Sequence, residues 1–319
     1  MMLFRPFTAG LALLLSCLAA GGPALAAGVT VRDARDRDVT VDNPARTVSV
    51  GGAVTEILYA LGLESRIVGV DTTSLYPESA LRDKPNVGYL RQLSAEGVLG
   101  LNPSLILTVQ GAGPKEAIES LEAARIPLVL VPETFTEKGI VDKIRMIGDV
   151  MGARPQAECL MKAVSADLSQ MRDLRGKVKK PLRVMFVMSL LNGRAMAAGT
   201  NTAANEIIQL AGAVNAIEGY EGYKAINDEA IIAAKPDVVL SMQRGRDTLE
   251  ADAVYAHPAF ALTPAAQKKA FVAMDGLYLL GFGPRTAMAA RDLAVQLYPE
   301  FAEQAGGLAS AVATADCRR

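Results

Sequence analysis

The chain has 319 residues, of which 50% are hydrophobic and only 5% aromatic, and its formal net charge at pH 7 is −1. This length predicts two domains of ordinary size with aliphatic cores, and the near-neutral charge argues against a nucleic-acid or anionic-membrane partner. The single histidine, His257, excludes a zinc or manganese site built from several histidines. It precedes a proline, which favours a loop or a helix end, and no Gly-x-Ser-x-Gly turn accompanies it to suggest a hydrolase.

The N-terminal residues have the pattern of an export signal. Arg5 gives a positively charged start, an apolar run covers residues 11–20, and an Ala-Leu-Ala cleavage site ends at Ala26. The run is shorter than the about 20 residues of a membrane span. Cleavage before Cys17 is the alternative, and it would give a lipoprotein. We expect a signal peptide over residues 1–26, cleaved near Ala26, and a soluble protein of the periplasm.

Two cysteines remain after such a cleavage, Cys159 and Cys317. An exported compartment permits a disulfide between them. Two unpaired thiols are equally compatible with the sequence, so both alternatives stay open at this point.

Two pairs of segments repeat each other along the chain. Segments 95–107 and 228–240 carry glutamate and proline at identical spacing, and each has the pattern of a short helix, a turn and a buried strand. Segments 55–62 and 205–212 both have the pattern of a helix closed by a glycine. Such internal similarity predicts two lobes with the same internal order.

Short apolar runs alternate with helical patterns in both halves of the chain. Fully apolar strands separated by helices are typical of parallel sheets that are covered on both faces. We therefore predict an α/β fold of two similar lobes, each with a mostly parallel sheet flanked by helices. The predicted strands are 47–50, 67–70, 105–107, 128–131, 183–188, 238–240 and 270–274.

A long helical stretch separates the two halves. Apolar residues keep a helical period from Ile140 to Val150, and Gly152 suits the end of that helix. Pro155 suits the first turn of a second helix, which continues to about Lys177. We expect a long rigid interlobe helix with a ligand cleft between the lobes. The predicted organisation after the signal peptide is a first lobe over 27–135, a helical segment over 136–178 and a second lobe over 179–319.

The segment 85–96 places Tyr89 two residues before Arg91, in a predicted loop just before a helix start. A phenol titrates near pH ~10, so a phenolate at neutral pH needs a nearby positive charge or a metal. Ferric haem iron is among the few centres that accept a tyrosinate axial ligand. The alternative is a half-buried loop tyrosine beside a solvated arginine.

The whole mature sequence resembles the haemin-binding periplasmic proteins of bacterial haem ABC importers. These belong to the helix-linked class of solute-binding proteins, which also serves siderophores and cobalamin. The resemblance implies a monomeric, non-enzymatic protein that carries haem b as transported ligand to an ABC permease dimer with its ATPase. A siderophore or cobalamin binder on the same scaffold is the alternative. The segments that carry the resemblance are 87–97, 196–199 with 202–204, 222–224 and 281–286.

The resemblance assigns the iron ligand and its neighbours. Tyr89 would be the axial ligand, and the charge of Arg91 would favour its phenolate form. In the opposite lobe Arg244, with Arg246 as its competitor, would face the tyrosinate or a haem propionate. Among the other aromatic residues, Tyr223 is the one expected to line the pocket.

One stretch departs from the family pattern. Some relatives have a histidine ligand before the Met-Ala-Ala-Gly block, whereas residues 188–194 contain none. We therefore expect five-coordinate haem, and we hypothesise that Arg194 contacts a propionate instead.

Glu96 and Glu229 hold equal positions in the two repeats. Ser94 and Asn227 are good N-cap residues, which places each glutamate in the first turn of a helix. Acidic residues favour helix starts by about 0.3–1 kcal/mol for purely local reasons. In importers of this class, however, such glutamates meet arginines on the two permease subunits, so the resemblance implies that these two dock the protein on the permease.

Overall fold

The computed structural model describes residues 28–243, 245 and 248–318. The predicted signal peptide over 1–26, Arg244 and Arg246 lie outside these described residues. Within them, the search for a helix with the length and apolar character of a membrane span found none.

The first lobe is built on a four-stranded parallel sheet in the order β4-β3-β7-β8. Every residue of β3, β7 and β8 is buried, as expected for strands covered on both faces. Two small antiparallel hairpins, β1-β2 and β5-β6, accompany the sheet. The strands are β1 (Val29–Arg32), β2 (Asp38–Val41), β3 (Thr47–Val50), β4 (Ile67–Val70), β5 (Gly88–Tyr89), β6 (Gln92–Leu93), β7 (Leu105–Val109) and β8 (Leu128–Val131).

Helices cover both faces of this sheet. Ile57 and Ile144, from α1 and α5, share one buried cluster with strand residues, whereas Val98 and Ile118, from α3 and α4, share the cluster on the other face. The helices are α1 (Gly52–Ala60), α2 (Ser79–Asp83), α3 (Ala95–Leu99), α4 (Lys115–Ala123) and α5 (Glu137–Val150), with a 3-10 turn at Glu64–Arg66.

The second lobe contains a mixed six-stranded sheet in the order β12-β10-β9-β13-β14, with β11 also paired to β9. Its predicted strands β9, β13 and β14 are parallel, but β10 and β12 run antiparallel and were not predicted. A two-residue turn, Asn192-Gly193, makes this possible because both residues have positive φ. The strands are β9 (Arg183–Leu191), β10 (Arg194–Ala198), β11 (Val214–Asn215), β12 (Tyr223–Ile226), β13 (Val238–Gln243) and β14 (Phe271–Asp275).

Short helices dominate the second lobe, and His257 caps one of them. Its Nδ1 accepts a hydrogen bond from the Ala259 N–H at 3.3 Å, so of the two predicted positions, a loop or a helix end, the structure shows a helix end. The helices are α7 (Ala203–Leu210), α8 (Asp228–Ala234), α9 (Ala251–Tyr255), α10 (Pro258–Ala261), α11 (Pro264–Lys268), α12 (Gly276–Leu280), α13 (Thr286–Leu297), α14 (Ala302–Gly306) and α15 (Ala311–Thr314), with a 3-10 turn at Pro299–Phe301.

Helix α6 (Arg154–Arg175) joins the two lobes along the chain. Its 22 residues span about 33 Å, and it packs against α5 of the first lobe and α13 of the second. Gly152 adopts a positive φ of 63° between α5 and α6, and Pro155 lies in the first turn of α6, as the sequence predicted. The two-lobed α/β fold is confirmed, while the residue boundaries of the lobes stay a prediction.

Cys159 on α6 and Cys317 near the C-terminus form a disulfide, with their Cα atoms 5.5 Å apart. The structure thereby decides between the two alternatives that the sequence left open. The bond closes a loop with a sequence separation of 158 residues, which makes its effect on the unfolded chain large.

The segment around this disulfide crosses from the second lobe towards the first. Buried Asp167 of α6 accepts a hydrogen bond from the Ala311 N–H at 2.6 Å, at the start of α15. Arg318, next to the disulfide, forms an ion pair with Glu64 of the first lobe. The C-terminal segment therefore binds to α6 and to the first lobe as well.

A buried ion pair joins the two lobes directly. Glu56 on α1 is 5% exposed, and it accepts two hydrogen bonds from the Arg285 guanidinium, at 3.1 and 2.9 Å, and one from the Arg285 backbone N–H at 3.2 Å. Burial raises the pKa of the Glu56 carboxyl, and the hydrogen bonds and charge of Arg285 oppose that rise. Arg285 immediately precedes α13, so this pair fixes the first helix of one lobe against the last long helix of the other.

Apolar and polar contacts extend the junction beside this ion pair. Phe135 and Phe282 meet edge to face, with ring centroids 5.3 Å apart. The buried ammonium group of Lys143 pairs with Glu133 at 2.6 Å and donates to the Phe282 carbonyl at 3.3 Å. We call this set of contacts, together with the Glu56–Arg285 pair, the interlobe junction.

Replacing Cys159 and Cys317 together with serine is expected to lower the free energy of unfolding by about 2–5 kcal/mol, because the unfolded chain loses its cross-link. Denaturant unfolding followed by circular dichroism measures the change. A reducing agent should destabilise the wild type by the same amount and leave the double variant unaffected. Equal stability of the variant and the oxidised wild type would contradict this prediction.

Glu56→Ala is expected to lower the free energy of unfolding by about 3–5 kcal/mol, because it leaves the Arg285 charge buried without its partner. The matched control is Glu119→Ala, which removes the exposed Lys115–Glu119 pair and should cost at most about 1 kcal/mol. Denaturant unfolding of both variants gives the comparison. A similar, small loss in both would show that the junction pair contributes no more than a surface pair.

Candidate functional site

Tyr89 lies on the short hairpin β5-β6, where the sequence predicted a loop. Its strand partner is Gln92, so Leu90 and Arg91 form a two-residue turn. Gly88 has a φ of 97°, which favours glycine at this position. The Gly88 carbonyl accepts a hydrogen bond from the Thr72 N–H at 2.9 Å. The hairpin is therefore attached to the segment that follows the carboxyl end of β4.

The side chains of Tyr89 and Arg91 are not held by the first lobe. Tyr89 is half-buried and Arg91 is exposed. Within the described part of the chain, neither side chain forms a hydrogen bond or an ion pair. The Tyr89 phenol oxygen is thus not engaged by a neighbouring described group.

Two of the second-lobe residues predicted to contact the ligand, Arg194 and Tyr223, each begin an antiparallel strand, β10 and β12. Arg194 is exposed and directly follows the β9-β10 turn. Tyr223 begins β12, is half-buried, and packs edge to face on Phe186 with ring centroids 6.2 Å apart. Arg244 directly follows β13 in the sequence but lies outside the described residues, so its role stays a prediction.

The carboxyl ends of the strands meet at the boundary between the lobes. Gly52 follows β3, and a Cβ atom added there would lie 2.5 Å from the Leu277 side chain, which follows β14. The starts of the helices that follow β3 and β14, α1 and α12, are therefore in contact. In open α/β sheets, ligands bind outside the carboxyl ends of the strands, so this boundary is the expected ligand cleft.

A buried aspartate fixes the segment between β4 and α2. Asp71 accepts hydrogen bonds from the Gly51 N–H at 2.8 Å, the Thr73 hydroxyl at 2.6 Å and the Ser74 hydroxyl at 2.9 Å. The Thr73 backbone N–H donates as well, at 3.0 Å. Since the carboxylate is completely buried, these four hydrogen bonds compensate for the loss of water. The segment therefore leaves β4 in a defined direction.

Leu75 and Tyr76 follow in this segment and were missed by the sequence analysis. They are 48% and 45% exposed, although both side chains are large and apolar. The Arg285 guanidinium carbon lies 3.5 Å from the centroid of the Tyr76 ring and 5.0 Å from that of Tyr278. Burial and a hydrogen bond to Asp292 raise the pKa of the Tyr278 phenol. Leu75 and Tyr76 were missed because their exposure depends on how the two lobes meet, which no local sequence pattern shows.

Glu96 and Glu229 occupy the predicted helix starts. Ser94 accepts a hydrogen bond from the Gly97 N–H at 3.0 Å, and Asn227 accepts one from the Ala230 N–H at 3.0 Å, so both N-caps are confirmed. Both glutamates are exposed. Neither forms an ion pair with another described residue. Their carboxylates are free to meet a partner, and docking stays a prediction.

Away from these residues, a crevice of about 340 Å³ lies between the start of α5 and α7. It contains none of the predicted site residues, and Glu137 and Arg175 in its wall pair with each other at 3.4 Å. We therefore assign it no ligand. Its lining residues are Phe135, Thr136, Glu137, Lys138, Arg175, Glu206, Gln209 and Leu210.

Comparisons with known proteins identify the fold. The structure of the periplasmic heme-binding protein RhuT from Roseiflexus sp. RS-1 in apo form is 37% identical, with a TM-score of 0.76, and the match covers 80% of this chain and 98% of that one. The periplasmic heme-binding protein BhuT, in complex with two hemes, is also 37% identical, with a TM-score of 0.75, over 79% and 97% of the two chains.

The curated relatives include a protein that is named for a different ligand. The uncharacterized ABC transporter substrate-binding lipoprotein YvrC of Bacillus subtilis (strain 168) is 28% identical over 85% of this chain and 86% of its own length. The vitamin B12-binding protein of Vibrio campbellii is 24% identical over 61% of this chain and 70% of its own. The model of the periplasmic binding protein family matches residues 48–277. This chain therefore belongs to the periplasmic binding protein family and is a solute-binding protein of an ABC transporter.

Proposed function

We propose that this protein binds ferric haem in the cleft between its lobes, through Tyr89 as axial ligand, and delivers it to an ABC permease. The observation that carries the proposal is the half-buried Tyr89 phenol, which no described side chain engages. It lies on a hairpin attached to the strand-end segment of the first lobe. The 37% identity to two periplasmic heme-binding proteins supports haem as the ligand.

The chemistry of the phenol suits the oxidised iron. A tyrosinate is a hard anionic ligand that ferric haem accepts, and the nearby Arg91 charge favours the anionic form. The propionates of haem need cations, which Arg194 and Arg244 would supply as charge-assisted hydrogen bonds. Tyr223 would add an aromatic surface from the second lobe.

The surroundings of the one histidine support the proposal of five-coordinate iron. His257 Nδ1 accepts from the Ala259 N–H, and its Nε2 lies 2.9 Å from the Gly193 carbonyl oxygen. Because a carbonyl only accepts, Nε2 is the donor in this contact. Both nitrogens are occupied within the second lobe, so we propose no histidine ligand on the face of the haem opposite Tyr89.

Delivery would depend on force applied from outside the protein. Three features connect the two halves or stiffen their connection, namely helix α6, the Cys159–Cys317 disulfide and the Glu56–Arg285 pair. Lobes joined in this way open little by themselves. We propose that a monomer, exported to the periplasm, docks through Glu96 and Glu229, and that the permease separates the lobes to release haem.

Cobalamin is the second candidate ligand. The observation that favours it is the similarity to vitamin B12-binding proteins, although at 24% identity over 61% of this chain. Cobalamin binding would not use a bond between Tyr89 and iron. Titration with cyanocobalamin beside haemin therefore separates the two candidates directly.

Tyr89→Ala is expected to weaken haemin binding at least about tenfold, which corresponds to about 1.4 kcal/mol, because the bond to iron is lost. Absorption titration of the wild type should give a high-spin ferric spectrum with a tyrosinate charge-transfer band, and the variant should lack that band. Tyr89→Phe is the matched control that keeps the ring and removes only the oxygen. An unchanged spectrum in Tyr89→Phe, or tight cobalamin binding with no haemin binding, would contradict the proposal.

Glu96→Ala and Glu229→Ala should each weaken the stimulation of permease ATPase activity, with an apparent affinity at least about tenfold lower. Haemin affinity should stay at the wild-type value, because both carboxylates are exposed and form no hydrogen bond or ion pair with another described group. Glu116→Ala is the matched control, since Glu116 is also exposed in the first turn of a helix. The measurement uses the permease in proteoliposomes. Equal stimulation by all three variants would rule out docking through these glutamates.

A further inference from the structure

Leu75 and Tyr76 form an adjacent pair of exposed apolar side chains. Across residues 28–135, which the structure describes without a gap, no other large hydrophobic side chain is as exposed as these two, at 48% and 45%. Single exposed apolar residues are ordinary on a protein surface. Leu75 and Tyr76, however, are adjacent in a segment that Asp71 fixes at the boundary between the lobes. They therefore form a small apolar surface in a defined position.

The Tyr76 ring is held in place from one side only. The Arg285 guanidinium carbon lies 3.5 Å from its centroid, so one face of the ring is covered by a cation. Arg285 is in turn fixed by its ion pair with buried Glu56 at 2.9 Å. A ring positioned this way loses little further freedom when a ligand covers its exposed surface, and such preorganisation favours binding.

The pair lies close to the hairpin that carries Tyr89. The Thr72 N–H donates to the Gly88 carbonyl at 2.9 Å, directly beside Tyr89. Tyr76 follows Thr72 by four residues, a stretch that spans at most about 14 Å. A porphyrin bound at Tyr89 and lying along this segment would come within reach of Tyr76. Because Arg285 belongs to the second lobe, Tyr76 also lies where the two lobes meet.

We propose that Leu75 and Tyr76 form a platform for the macrocycle of the ligand, on which a flat, conjugated ring stacks. The platform would select for a planar porphyrin independently of the metal, whereas Tyr89 selects for ferric iron. This inference rests on the proposed function for the class of ligand. It adds two specificity-determining residues that do not touch the iron.

Iron-free protoporphyrin IX tests the platform apart from the iron bond. Tyr76→Ala should weaken both protoporphyrin IX and haemin by about three- to tenfold, because the aromatic contact is lost. Tyr76→Phe keeps the ring and should bind both porphyrins like the wild type. Tyr89→Ala should instead discriminate between the two ligands, with haemin weakened and protoporphyrin IX nearly unchanged. Porphyrin fluorescence measures the protoporphyrin IX affinities, and absorption titration measures the haemin affinities, of the wild type and the three variants.

Leu75→Ser is a second variant that leaves the Tyr76–Arg285 contact in place, and it should also weaken both porphyrins. Leu262→Ala is the control, since Leu262 is 66% exposed on the second lobe and should have no effect. Wild-type affinity for both porphyrins in folded Tyr76→Ala and Leu75→Ser would overturn the platform while leaving the haem proposal intact. A wild type that binds neither porphyrin would instead overturn the proposed function and the platform with it.

Discussion

The Glu56–Arg285 ion pair is the contact on which the geometry between the lobes depends. It is buried and makes three hydrogen bonds, so separating the partners would leave two charges without solvent or counter-charge. The aromatic contact of Phe135 with Phe282 lies in the same junction. Since the candidate cleft is bounded by both lobes, its shape follows from this junction. The same arginine covers one face of Tyr76 and so links the junction to the cleft.

Each lobe places its candidate ligand contact and its candidate docking residue close together in the chain. In the first lobe, the hairpin with Tyr89 leads directly into α3 with Glu96. In the second lobe, β12 with Tyr223 leads directly into α8 with Glu229. The order of a short strand followed by a helix is therefore the same in both lobes.

Much of the fold was predictable because it follows from local patterns. The strands 47–50, 67–70 and 128–131 have the predicted limits, since continuous apolar runs between helical patterns leave little choice of register. The N-caps Ser94 and Asn227 were equally predictable, because a capping side chain bonds to a backbone group three residues away. The position of Tyr89 before α3 was predicted as well, although its short hairpin was not.

By itself, then, the sequence determined the strands of the first-lobe parallel sheet, the two-lobed α/β class and the candidate ligand tyrosine, because each leaves a local or repeated pattern in the chain. Only the tertiary structure decided the Cys159–Cys317 disulfide, the Glu56–Arg285 pair and the exposure of Tyr76. These contacts join positions that are far apart in the chain. No local periodicity encodes them, and they form only when the two lobes pack against each other and against α6.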